Sequence, residues 1–339
     1  MNRSDTIFGQ LPSVAGTAEE IAQFVVETAV NSPSVHNTQP WWFYGVDHEI
    51  GIHADDERHL AVADPDGREM MISCGAALFT ARVAMRYVGL VPRVRVFPEP
   101  GLSTLVAKVG WEDTRPPLDY ECDMFSQIPR RRTHRGGFAA EPLPGGIQSA
   151  LMDEAFKENA SLFILGDEGP RNALAAVVEA GEYAVRANSA RARELAKWAP
   201  GPGSARRDGV PATAYPARPT RIEPNFPARD FAHGHGWGLP PAGDGQRFWS
   251  AGLVAILTTA ADRPQDWVAA GQALQRMLLY ATSCGLAAAL HSQPLEVPQL
   301  REFIRVQFCD GTFPQLVVRL GVTSQPAISV RRPVDEVLF

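Results

Sequence analysis

Pro33-Ser34-Val35-His36-Asn37-Thr38-Gln39-Pro40-Trp41 lies between an apolar helical run and a β-rich one. Proline lacks an amide donor and clashes with the preceding turn, so Pro33 stops the helix. Ser34, Asn37 and Gln39 then place hydrogen-bonding side chains on a short, stiff loop. Trp41 and Trp42 return the chain to apolar structure. Composition alone describes a polar helix-to-strand turn, with Ser and Asn in their usual turn roles. The same groups also suit a flat, hydrogen-bonding heterocycle.

Upstream, Thr17 to Asn31 reads as a helix, with Thr17 as cap and Glu19 and Glu20 in the first turn. Downstream, Trp42–Val46 and Ile50–Ala54 read as an antiparallel hairpin. Arg68 to Val88 is a long helix stopped by Gly89 and Pro92, and strands follow at Val94–Phe97 and Leu102–Val109. A second set runs helix Gly146–Lys157, strand Leu162–Leu165, one helix Arg171–Trp198 and strand Phe248–Thr259. It continues with helix Trp267–Cys284, strand Leu286–His291, short helix Leu300–Phe308 and strand Leu316–Val322.

The two sets repeat. Gly75-Ala76-Ala77-Leu78 leads to Gly89-Leu90, and Gly271-Gln272-Ala273-Leu274 leads to Gly285-Leu286 at the same interval. Each helix is followed by a strand ending in glycine, at Gly110 and Gly321. Matching elements in the same order predict a duplication. The expected fold is therefore α+β: two related halves, 1–129 and 130–339, with antiparallel sheets flanked by helices. The hairpins argue against a dinucleotide-binding fold. The glycines of Gly234-His235-Gly236-Trp237-Gly238 have the wrong spacing and context for one.

With 339 residues and 45% hydrophobic content, the chain can form one large core or two smaller ones. A net charge of -6 offers no basic field for nucleic acid. The four cysteines show no CxxC spacing and read as reduced thiols. The N-terminus lacks a basic-then-apolar signal pattern, and the apolar run Trp249–Ala261 is too short to span a bilayer. A soluble cytoplasmic protein with no membrane partner is expected.

The segment 200–245 is rich in Pro and Gly, lacks periodicity and carries Tyr215, Phe226, Phe231 and Trp237. Loops of this length are functional or disordered, and disordered segments are poor in aromatics. A lid over a pocket and an ordered surface excursion are the two readings. His233 and His235 lack convergent carboxylates or thiols, so no metal site is expected. No Ser-His-Asp or Cys-His pattern supports nucleophilic hydrolysis.

Arg130-Arg131-Arg132-Thr133-His134-Arg135 packs four arginines and a hydroxyl into six residues. Guanidinium groups form bidentate bonds to phosphate; a solvated basic turn is the plain alternative. Arg331-Arg332-Pro333 forms a third cluster near the C-terminus.

The three clusters together resemble the flavin-dependent nitroreductase family, most closely its single-chain Acg-like branch. Subunits of that family open with R-x-S/T-x-K/R, continue through P-S-x-x-N-x-Q-P-W, and end in an R-x-P tail. Two of them intertwine, with FMN at each interface. Here the first half carries only the Pro33–Trp41 loop, and the second only the two arginine clusters. The resemblance implies a fused pseudo-dimer, monomeric, with one FMN site. It implies Arg131, Thr133 and Arg331, assisted by Arg132, at the FMN phosphate, and Arg135 beside flavin N1 and O2. Pro33, Ser34, Val35 and Asn37 would meet the opposite face and edge of the ring. Ser292, Gln293, Pro294 and Leu295 would replace the family's P-x-E-G loop near N5, without its glycine. The implied activity is hydride transfer from NAD(P)H through flavin to a nitroaromatic, quinone or similar acceptor, with no side chain as the catalytic group. The alternative is a non-catalytic protein that sequesters FMN under the lid.

Overall fold

The computed structural model describes residues 16–215, 222–231, 249–324 and 329–339; Trp237, His233, His235 and the run 234–238 lie outside them. Helix α1 (Ala18–Ala29) starts at Thr17, whose hydroxyl accepts from Glu20 N at 3.1 Å. The Glu20 carboxylate accepts from Thr17 N at 2.9 Å. This reciprocal pair satisfies two donors that a helix start leaves open.

The loop after α1 leads into the hairpin β1 (Trp41–Val46) and β2 (Glu49–Ala54). Helix α2 (Arg68–Tyr87), strands β3 (Leu90–Val96) and β4 (Leu105–Thr114), and helix α3 (Asp119–Gln127) follow. The second set comprises α4 (Ile147–Phe156), β5 (Ser161–Leu165), α5 (Glu168–Ala187) and α6 (Ser189–Lys197). After the two-residue strands β6 (Ile222–Glu223) and β7 (Trp249–Ser250) come β8 (Leu253–Thr259), α7 (Pro264–Ser283), β9 (Ala287–His291), α8 (Pro298–Phe308) and β10 (Phe313–Gly321).

The strands form two four-stranded antiparallel sheets, ordered β1-β2-β4-β3 and β5-β8-β10-β9. Laying β5, β8, β9 and β10 on β1, β2, β3 and β4 makes the two orders identical. This is an α+β pseudo-dimer built from one chain.

The repeated glycines explain how the halves join. Helices α2 and α7 cross where Gly75 faces Val268 and Gly271 faces Ile72. A Cβ on Gly75 would lie 2.2 Å from the Val268 carbonyl oxygen, and one on Gly271 would lie 2.0 Å from that of Ile72. Only residues without a side chain allow two helix backbones to come this close. The contact is reciprocal, as a duplicated interface requires.

Chain segments also cross between the halves. Phe43 N donates to Val337 O at 2.7 Å, and Phe339 N donates to Phe43 O at 3.0 Å, so the C-terminal tail joins the edge strand β1. Within the second half, Thr133 bridges to Ala288, and His134 N donates to Ala288 O at 2.7 Å, so the arginine-rich segment runs beside β9.

Three local differences from the sequence reading have physical causes. The stretch Arg171–Trp198 forms two helices, because Asn188 Oδ1 accepts from Ala190 N and Arg191 N and restarts the helix. The run Phe248–Thr259 is broken at Gly252, whose φ of +74° turns the chain beneath Leu320 O. Helix α3 went unread; it is anchored by the Glu121 carboxylate, which accepts from Leu118 N at 2.8 Å and pairs with Arg86 at 2.9 Å. No helix among the described residues is long and apolar enough to cross a membrane.

Candidate functional site

The loop after α1 is wound tightly. Its backbone is left-handed at His36 (φ 47°), Asn37 (φ 54°) and Gln39 (φ 50°). Asn tolerates this region; for His and Gln it costs on the order of 1–2 kcal/mol each. Tertiary hydrogen bonds hold the conformation. Asn37 Nδ2 donates to Gly209 O at 2.9 Å and Val330 O at 3.1 Å, and its Oδ1 accepts from Arg331 Nη1 at 2.9 Å. Gln39 Nε2 donates to Arg207 O at 2.9 Å, and its Oε1 accepts from Arg332 N at 2.8 Å. The loop is therefore clamped by both the insertion and the tail. Ser34 Oγ accepts from Gln39 N at 2.9 Å, and Val35 N donates to Ser73 Oγ at 3.2 Å.

The loop meets a cationic corner. Arg131 and Arg331 both donate to Asn31 O, at 3.2 and 3.3 Å. The Nε of each is buried and has no hydrogen-bond partner among the described residues. Arg132 Nη1 donates to Arg131 O at 2.8 Å. Arg135 Nη1 donates to Thr133 O at 3.3 Å, and its guanidinium lies 5.6 Å from the Tyr215 ring centre. Among the described residues, no carboxylate pairs with Arg131, Arg132, Arg135 or Arg331. Burial, then repulsion from Arg132 and Arg135, lowers the Arg131 guanidinium to about 9. Burial, then Arg131, Arg132 and Arg135, holds Arg331 well below its ordinary value. Unpaired buried charges are costly, and an anion with several oxygens would satisfy these donors.

Beside this corner lies a cavity that is partly open to solvent. Pro33, Ser34, Val35 and His36 form one wall; Thr133, His134, Arg135 and the end of β9 form another. Tyr215, Ala228, Arg229 and Phe231, from the segment 200–245, also line it. Phe231 meets the His36 ring edge-on at 5.2 Å. Phe226, by contrast, is fully buried in the core.

Arg229 fastens the insertion. It is ion-paired with Glu296, and its Nη2 donates to Ser292 Oγ at 3.1 Å. Ser292 Oγ in turn donates to Glu296 Oε1 at 2.9 Å. Of the residues in this turn, Ser292 lines the cavity. Gln293 Nε2 donates to Pro227 O at 3.3 Å, Pro294 packs on Gly181, and Leu295 belongs to the core. Asn37, Arg131, Arg132 and Arg331 form the adjoining corner and do not line the cavity itself.

Several lining residues were missed by sequence reasoning. Arg319 is buried 5.3 Å from the ring centres of both Phe138 and Phe226. Its Nε donates to His291 Nε2 at 2.9 Å. His291 therefore carries its proton on Nδ1, and burial, then Arg319, keeps the ring neutral. The available signal was a single arginine inside the apolar strand Leu316-Val317-Val318-Arg319-Leu320. Glu69, in the first turn of α2, also lines the cavity. Burial, then Glu296 and Asp64, raises its carboxyl to about 8, although Arg68 at 2.8 Å pulls the other way.

No family model matches the chain. A Mycobacterium tuberculosis protein named "Putative NAD(P)H nitroreductase" is 32% identical over 307 residues, which cover 89% of this chain and 85% of that protein. The chain belongs to the nitroreductase family. A second M. tuberculosis protein, "Putative NAD(P)H nitroreductase acg", is 27% identical over 330 residues, covering 94% of this nitroreductase-family chain and 95% of its relative. A nitroreductase with bound FMN from Desulfitobacterium hafniense covers 64% of this chain and 97% of its own, at 15% identity and a TM-score of 0.40. That structural likeness adds nothing to the family assignment. In this family member, the Pro33–Trp41 loop, Arg131 and Arg331 meet beside the cavity.

Proposed function

We propose that this chain binds one FMN and acts as an NAD(P)H-dependent oxidoreductase toward a nitroaromatic, quinone or similar acceptor. The carrying observation is the pair Arg131 and Arg331, the first buried and the second half-buried, each with a buried Nε that finds no hydrogen-bond partner and with no acidic partner among the described residues, beside the cavity. The phosphate would sit with Arg131 and Arg331, assisted by Arg132 and Thr133. The ring would lie against Pro33, Ser34 and Val35, with Arg135 at its polar edge and Ser292 near its reactive side. Bound there, the flavin supplies two-electron hydride chemistry, and the protein supplies orientation and electrostatics. A cation at Arg135 favours negative charge on the reduced ring. Asn37 holds Arg331 in place. The protein would work as a single chain in the cytoplasm, its halves meeting near residues 129 and 130, with 200–245 as the insertion.

One observation favours a second reading, flavin storage. Tyr215, Arg229 and Phe231 cover the cavity, and the Arg229–Glu296 pair fastens them. A nicotinamide must reach hydride-transfer distance, roughly 3–3.5 Å, and a closed cover prevents it. The absorption spectrum of the purified protein, before and after anaerobic NADPH, separates the readings. Bleaching of a flavin spectrum supports the enzyme. A flavin spectrum that NADPH and NADH leave unchanged supports storage. Protein that takes up no FMN when reconstituted contradicts both.

A further inference from the structure

We propose that Glu69 is the proton donor of the cavity, handing its carboxyl proton to an acceptor that has taken hydride. The proposal rests on the flavin reading above.

Glu69 is the one carboxylate among the described residues that line the cavity, and it is 5% exposed. Its Oε1 accepts from Arg68 Nη2 at 2.8 Å, and no hydrogen bond to Oε2 is made among the described residues. The neighbouring charges are Arg68 on α2, Asp64 on the preceding turn, Glu296 after β9 and Arg229 on the insertion. Burial, then Glu296, raises its carboxyl to about 8 although Arg68 and Arg229 pull the other way, which favours the protonated form of this cavity-lining acid.

The other ionisable groups of the cavity are poorly suited to this role. Arg135, Arg229 and Arg319 are guanidinium groups, and burial keeps His36, His134 and His291 toward the neutral form. Burial also pushes the Tyr215 hydroxyl far above neutral pH.

The chemistry balances. A quinone that accepts hydride from reduced flavin gains two electrons and one proton and becomes a hydroquinone anion. It needs one more proton. The Glu69 O–H bond breaks as the new acceptor O–H bond forms, and the electron pair stays on the carboxylate. A proton from bulk solvent then restores the acid. Asp64, Arg68 and Glu296 also line a second, solvent-open cavity, a route for that proton.

The test uses FMN-loaded protein, reduced with dithionite and mixed in a stopped-flow instrument with benzoquinone or ferricyanide. Ferricyanide takes electrons and no proton. Glu69→Gln should slow oxidation by benzoquinone roughly a hundredfold, with the loss confined to the quinone, and Glu69→Asp should recover part of the rate. Infrared spectra of flavin-free protein provide an independent readout. Wild type should show a protonated carboxyl band at pH 7 that Glu69→Gln lacks. Equal slowing with both acceptors, an unchanged quinone rate, or no such band at pH 7 would overturn the proposal. Failure to bind FMN would instead sink the flavin reading, while the infrared result would still decide the protonation of Glu69.

Discussion

Arg331 Nη1 donates to Asn37 Oδ1 at 2.9 Å across a separation of 294 residues. This bond joins the loop of the first half to the tail of the second. Asn37 thus acts on the site through Arg331 without lining the cavity.

Asn37→Ala removes the Arg331 contact and two donations, to Gly209 and Val330. The Arg331 contact is the one that positions a phosphate donor; at ~1–1.5 kcal/mol its loss should lower FMN affinity by about fivefold to tenfold. Fluorescence titration of the flavin-free protein measures it. Unchanged affinity would mean that Arg331 is positioned without the loop.

Arg131→Met should act with opposite signs on stability and on binding. It removes a buried cation whose guanidinium, among the described residues, has no acidic partner and donates to Asn31 O alone. The flavin-free protein should gain ~1–3 kcal/mol in urea unfolding. FMN binding should weaken roughly tenfold to a hundredfold, and riboflavin, which has no phosphate, far less. Equal losses for both flavins would place Arg131 away from the phosphate.

The helix crossing gives a prediction independent of any ligand. Gly75→Ala and Gly271→Ala each force a Cβ against a carbonyl of the other helix. Each should destabilise the fold by ~1–3 kcal/mol, and the double variant should be non-additive because both strain one interface. Gly101→Ala, where a Cβ meets nothing within 4 Å, is the control. Urea midpoints report all four variants.

Glu69 should make stability depend on pH. Its folded value is raised from 4.5 to about 8 by burial and then by Glu296. The contribution is fully present below the lower value and disappears as pH rises through the upper one. Wild type should therefore lose stability relative to Glu69→Gln between about pH 4.5 and pH 8. Parallel unfolding curves for the two proteins across this window would contradict the shift.

Local signals made much of this legible. Thr17 and Glu20 announced a helix start, and the paired glycines announced the duplication because close helix packing needs them at equivalent places. The arginine cluster was visible because four guanidinium groups fall within six residues, Arg130 to Arg135. Phe226 and Phe231 looked alike in the sequence, yet one fills the core and the other lines the cavity. Helix α3 was hidden by weak apolar periodicity, its anchor being the Glu121–Arg86 pair from two separate elements. Glu69, Arg229, His291 and Arg319 reach the cavity from α2, the insertion, β9 and β10. Their convergence is a property of tertiary packing, which spacing along the chain does not encode.

The central claim is that two incomplete half-sites form one whole site. The direct measurement reconstitutes the chain with excess FMN, removes free flavin, denatures the protein and quantifies released FMN against chain concentration. One FMN per chain is predicted, and the bound flavin should be largely lost at the same concentrations in a variant carrying both Arg131→Met and Arg331→Met. Two FMN per chain, or full retention by that variant, would contradict it.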